Sequence, residues 1–156
     1  MGRSKLPIIK KEDGSVFYDE DYVFDYGKAD LVRKGDSGTV FVCGTASNNA
    51  VNAIDLLAKD GINLQLYVVG SPLMPEGSIV SEAAKKGSIF VIEDHSVQGG
   101  LGASVKDKLV ESKMSADFVH YGVQEYPASG ASKDLYKAHG LDADSLAKAI
   151  KDHLKK

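Results

Sequence analysis

Ser88-Ile89-Phe90-Val91-Ile92-Glu93-Asp94-His95-Ser96-Val97-Gln98-Gly99-Gly100-Leu101-Gly102-Ala103 is the stretch around which the chain is organised. Residues 88–92 form a short apolar run of β-branched and aromatic side chains, preceded by Gly87 and followed by charge, the pattern of a strand buried on both faces. Glu93, Asp94 and His95 are expected where that strand ends. Gly99, Gly100 and Gly102 then open a helix marked by Leu101, Val105, Leu109 and Val110. Acidic and imidazole groups thus meet a glycine-rich helix start, whose unpaired N–H groups suit an anion. In open α/β sheets, ligands and partners collect at that end of the strands.

Working outward, the order is a strand followed by repeated strand–helix units. Residues 1–21, with Pro7, Gly14 and the acidic run Asp19-Glu20-Asp21, read as an extended linker, and 22–156 as one domain. Residues 22–33, broken by Gly27, suit an edge strand with a bend. Further strands are expected at 39–43, 64–69 and 117–121. Helical spacing recurs through Ala50, Val51, Ile54, Leu57 and Ala58, with Ser47 at its start and Gly61 past its end. A short helix follows Pro75, and two more occupy 133–138 and 144–154. Such alternation predicts an α/β fold in three layers, a mostly parallel sheet covered by helices on both faces.

Length and composition agree with a single core: 156 residues, 43% hydrophobic and 26% charged. A net charge of -3 with no long basic run argues against nucleic acid or a membrane surface as partner. No uninterrupted apolar stretch approaches a membrane span. One cysteine, Cys43, within an apolar run, excludes an internal disulfide and fits a reducing, cytoplasmic compartment.

Several residues invite chemistry, and each has a plainer role. Glu93, Asp94 and His95 suit acid–base work or interface and capping hydrogen bonds; alternation along a strand lets only Glu93 and His95 share a face. No metal site is expected, because His120, His139 and His153 lie on other elements. Gly99-Gly100-Leu101-Gly102 lacks the lysine and hydroxyl of a P-loop and the spacing of a dinucleotide fingerprint, so close packing competes with phosphate binding. Gly44-Thr45 ends its strand as an ordinary turn would. Ser47 and Ser129 sit in no nucleophile elbow. Cys43 reads as a small apolar residue, and Tyr18 and Tyr22 with the acidic run as a solvated face or a docking surface.

Val91-Ile92-Glu93-Asp94-His95 with Gly99-Gly100-Leu101-Gly102 resembles the Val-Glu-Asp-His … Gly-Gly-hydrophobic-Gly signature of the carboxyl-terminal domain of transketolases. In varied form the arrangement occurs in β-type subunits of 2-oxoacid dehydrogenases and in deoxyxylulose-phosphate synthase. Further similarity lies in Tyr18-Asp19-Glu20-Asp21-Tyr22, Tyr26-Gly27-Lys28-Ala29, Gly44-Thr45, Pro127-Ala128-Ser129-Gly130 and His139-Gly140-Leu141-Asp142.

The resemblance implies a five-stranded mixed sheet whose first strand is antiparallel, with Gly44-Thr45 and Glu93–His95 at a topological switch point. It implies a parent enzyme of pentose phosphate metabolism in which two other domains bind thiamine diphosphate and Mg²⁺ and carry out two-carbon ketol transfer between sugar phosphates. It gives this part contacts within a dimer and a regulatory ligand; Gly44, Thr45, Glu93, Asp94, His95, Gly99, Gly100 and Gly102 are the candidate interface or ligand-crevice residues. No cofactor is expected on this chain and no activity from it alone. Arg3-Ser4-Lys5-Leu6-Pro7 is similar to the family's Ser-Arg-x-x-Leu-Pro segment, so the resemblance assigns Arg3 to a sugar phosphate in the intact enzyme, although Gly2 replaces the serine. The rival expectation is a free-standing module that binds a small anion or serves only to dimerise.

Overall fold

Strands separated by helices have no tight turn with which to pair as hairpins, so neighbours run parallel and helices must cross the sheet. The computed structural model, which describes residues 6–126 and 128–155, shows this arrangement. Strands β1 (Ala29–Arg33), β2 (Thr39–Val42), β3 (Gln65–Val69), β4 (Ile89–Ser96) and β5 (Phe118–Val123) form one sheet ordered β1-β3-β2-β4-β5. Only β1 is antiparallel to its neighbour, β3. Helices α1 (Ser47–Lys59), α2 (Gly77–Lys86) and α3 (Gly100–Glu111) make the crossovers, and α4 (Ser132–Ala138) and α5 (Ala143–His153) finish the chain.

From β2 the chain winds towards β1; from β3 and β4 it winds towards β5. Right-handed crossovers in opposite directions place their helices on opposite faces. Accordingly, α1 and α5 cover one face over Val40, Val42, Leu66, Phe90 and Ile92. On the other, α2 and α3 cover Phe41, Tyr67, Ile89 and Val91. Alternate residues of β2 and β4 therefore feed two cores, which is why both strands are apolar throughout rather than patterned at every second position.

Two sequence expectations change. Strand β4 does not end at Ile92: its pairing with β5 resumes at Ser96 opposite Val123 after an irregularity, so Glu93, Asp94 and His95 lie within the strand. Tertiary pairing overrides their weak strand propensity. The first strand begins at Ala29 rather than Tyr22, and Gly27, at φ 84°, turns the chain into it. The lead-in lies against the domain. Ile9 and Phe17 pack on the α1–α5 core, Arg33 donates to Lys10 O at 2.9 Å, and the Tyr18 and Tyr22 hydroxyls donate to Asp30 at 3.1 and 2.9 Å. Arg3 and Pro127 lie outside the described residues.

Candidate functional site

Strands β2 and β4 are neighbours whose continuations leave in opposite directions, so the gap between their carboxyl ends is a topological switch point. Gly44, Thr45 and Glu93–His95 meet there. Pleating divides them between the two faces.

On the α3 face, the fully buried Glu93 is an acceptor for four groups. The N–H groups of Leu101 and Gly102 donate to its carboxylate at 2.8 and 3.1 Å. His120 Nε2 lies 2.5 Å from Oε1, and His95 Nε2 lies 2.8 Å from Oε2. The helix start expected to be open to an external anion is thus satisfied by the chain's own carboxylate, an internal cap that also meets the helix dipole. Gly100 and Gly102 are needed for this contact. A Cβ at Gly100 would overlap the Glu93 and His95 side chains, and one at Gly102 would overlap the His120 ring.

His120 on β5 was missed as a partner because it lies 27 residues from Glu93. Only the β4–β5 pairing, which sets Val91 opposite His120, brings it in. Burial holds the His120 ring below the ordinary imidazole value, outweighing the stabilising hydrogen bond and charge of Glu93, so the ring is neutral near pH 7. Cys43, the residue after β2, points to the same face, with Sγ 4.0 Å from Glu93 Oε2. Burial first, then the Glu93 and Asp94 charges, push its thiol up to about 12, so it is no nucleophile in this setting.

On the opposite face, Asp94 accepts a hydrogen bond from Thr45 Oγ1 and one from the Tyr136 hydroxyl at 2.9 Å; the two hydroxyls are 2.6 Å apart. Tyr136, on α4, had no sequence signal beyond an apolar position. Gly44, at φ 67°, lets the chain turn away with no Cβ against Asp94. Beside this group, a hollow of about 690 Å³ is lined by Leu6, Ile8, Cys43, Gly44, Asp94 and His95 among others.

These residues do not fit thiamine diphosphate. The described residues lining the hollow include Asp94 but no lysine or arginine, and the nearby N–H groups of α3 are taken by Glu93. A diphosphate requires clustered positive charge or unpaired N–H donors. Chemistry on that cofactor is not built from this site.

A second surface leaves no periodic signal in the sequence. Val23, Phe24 and Tyr26, in the loop before β1, and Leu73 and Met74, in the loop after β3, are all more than half exposed. They form a patch: the Tyr26 hydroxyl lies 3.7 Å from Met74 Sδ, and the Phe24 ring presses on Gly70. Because Ala29 pairs with Val69, this patch sits at the same end of the sheet as Glu93. The apolar residue at the glycine-rich helix start, Leu101, is by contrast fully buried.

The family model described as transketolase, C-terminal domain, matches residues 27–146. The chain belongs to that family. Among curated relatives, a protein of Methanocaldococcus jannaschii described as a transketolase C-terminal section is 29% identical over 153 residues, covering 95% of this chain and 47% of its own. Human transketolase is 30% identical over 145 residues, 90% of this chain but 23% of the human one. The chain therefore spans about half the length of the first relative and under a quarter of the second. A solved split-gene transketolase, in an inactive beta4 tetramer, superposes with TM-score 0.82 at 25% identity over 99% of this chain and 47% of its own. A transketolase of Pichia stipitis superposes with TM-score 0.60 over 81% of this chain and 18% of its own, at 19% identity, which speaks to the fold. The expected five-stranded mixed sheet with an antiparallel first strand is the observed one. Among the described residues no helix is long and apolar enough to cross a membrane.

Proposed function

We propose that this chain is the C-terminal domain or subunit of a thiamine diphosphate-dependent transketolase of the cytoplasm. In this reading, partner domains bind the cofactor and Mg²⁺ and transfer a two-carbon ketol unit between sugar phosphates, while this domain supplies contacts to them and to a second copy. Residues 1–21 form the connection from a thiamine-binding domain, and Arg3 reaches the sugar phosphate in the assembled enzyme. A guanidinium suits that task by giving paired hydrogen bonds to phosphate.

The observation that carries the proposal is the family match joined to a switch-point hollow whose described lining lacks the positive charge a diphosphate needs. The exposed Phe24–Tyr26 and Leu73–Met74 patch supports the contact role, since large clustered apolar groups at a surface mark interaction sites. The split-gene neighbour supports a separate subunit as one form of the assembly.

The test mixes the purified chain with a polypeptide carrying thiamine-binding transketolase domains, then adds thiamine diphosphate, Mg²⁺, a ketose phosphate and an aldose phosphate. Turnover is expected from the mixture and lost with Phe24→Asp; failure of the two polypeptides to associate contradicts the proposal. Light scattering of the chain alone at micromolar concentration is expected to give a dimer, and a strict monomer removes the second copy from the account.

A further inference from the structure

We infer that Cys43 Sγ, the Glu93 carboxylate and His95 Nε2 form a binding site for a borderline-soft divalent cation of the Zn²⁺ class. The three donor atoms, one each from β2's end and two positions of β4, lie within 4.8 Å of one another. Two separations are resolved individually: Glu93 Oε2 to His95 Nε2 at 2.8 Å, and to Cys43 Sγ at 4.0 Å. Donors on a tetrahedral Zn²⁺ at its usual bond lengths stand roughly 3.3–3.6 Å apart. The site therefore needs Cys43 and Glu93 to close by about half an ångström and His95 to draw back by about as much, the latter by χ rotation of its half-exposed ring.

Charge and chemistry favour such an ion. A thiolate and a carboxylate neutralise a divalent cation, so the complex carries no net charge into the buried end of the sheet. Sulfur and imidazole together select Zn²⁺ and its neighbours over Mg²⁺ or Ca²⁺, which take oxygen. Binding is balanced by release of the Cys43 thiol proton to solvent, and His95 ligates through Nε2 with its ring proton on Nδ1.

The surroundings match what metal sites require beyond their ligands. Glu93 Oε1, on the side away from Cys43 and His95, is held by His120 and the Gly102 N–H, and the Leu101 N–H steadies Oε2. Such outer hydrogen bonds orient a ligating carboxylate. The half-exposed His95 and the buried Cys43 both line the hollow at the switch point, giving an entry path and leaving a fourth position for water.

The experiment titrates chelator-treated, tag-free chain with Co²⁺ and then Zn²⁺. One Co²⁺ per chain is expected, with a near-ultraviolet thiolate-to-cobalt charge-transfer band that Zn²⁺ abolishes, and Zn²⁺ is expected to raise the melting temperature. Cys43→Ser, close in size and so compatible with folding, should lose the band. His95→Gln, at a half-exposed position, should weaken Co²⁺ by at least about 100-fold, more than loss of an outer-shell partner costs. His139→Ala should change neither. Absence of the band from the unaltered chain, or equal affinity in Cys43→Ser and His95→Gln, overturns the site.

Discussion

Glu93 and Asp94 are consecutive residues of one strand, yet they meet opposite faces of the sheet and are held by different means. Glu93 is sealed beneath α3, with two backbone N–H groups and two imidazoles around it. Asp94 is partly open and held by side-chain hydroxyls alone, Thr45 and Tyr136. The difference lies in what each carboxylate organises. The first completes a helix terminus and sits where a foreign anion would otherwise bind. The second ties the turn after β2 to α4 and lines the edge of a hollow. The first is fixed from beneath a helix, and the second at the edge of the fold.

The largest test of that contrast is removal of each carboxylate. Glu93→Ala leaves two helix N–H groups and two rings without an acceptor, and should cost about 3–5 kcal/mol in urea unfolding. Asp94→Ala, next to solvent, should cost about 1–2 kcal/mol. Equal costs would erase the distinction. Next in size is the fit of α3 against the buried group. Gly102→Ala drives a methyl into the His120 ring and should cost about 1–3 kcal/mol, whereas Gly77→Ala, whose Cβ meets only Lys108 Cδ at 3.6 Å, should be neutral or better.

On the Asp94 side, Thr45→Val keeps the shape and loses one hydroxyl, for about 1 kcal/mol. The smallest effect is a pH dependence belonging to the α3 side. His120 titrates below 6.5 when folded and near 6.5 when unfolded. The unfolded chain therefore takes up the proton first: stability is constant above that value, falls as pH drops through it, and levels once the folded ring is protonated too. In chelator-treated protein, His120→Asn should flatten that part of the stability profile. An unchanged slope would mean the ring is not held neutral by burial.

The layers were legible in the sequence, because period and punctuation are local: Val91 and Phe41 announce a doubly buried sheet, and Gly61 marks where a helix stops; the strand order came only with the family resemblance. Alternation also separated Glu93 and His95 from Asp94. What it did not carry depends on distance along the chain. His120 and Tyr136 reach the strand end only through β4–β5 pairing and the packing of α4, and Cys43 looked like core filler until its neighbour across β2 and β4 was visible. The extension of β4 to Ser96 follows from β5, which no propensity of Glu-Asp-His foretells. The Phe24–Met74 patch joins Tyr26 to Met74 across 48 residues and gave no periodic signal.

The central claim is that this domain scaffolds thiamine chemistry housed elsewhere. Titration calorimetry of the isolated chain with thiamine diphosphate and Mg²⁺, followed by a turnover assay with ketose and aldose phosphates, tests it most directly. No saturable heat and no product are expected; stoichiometric cofactor binding or measurable ketol transfer by this chain alone would contradict it.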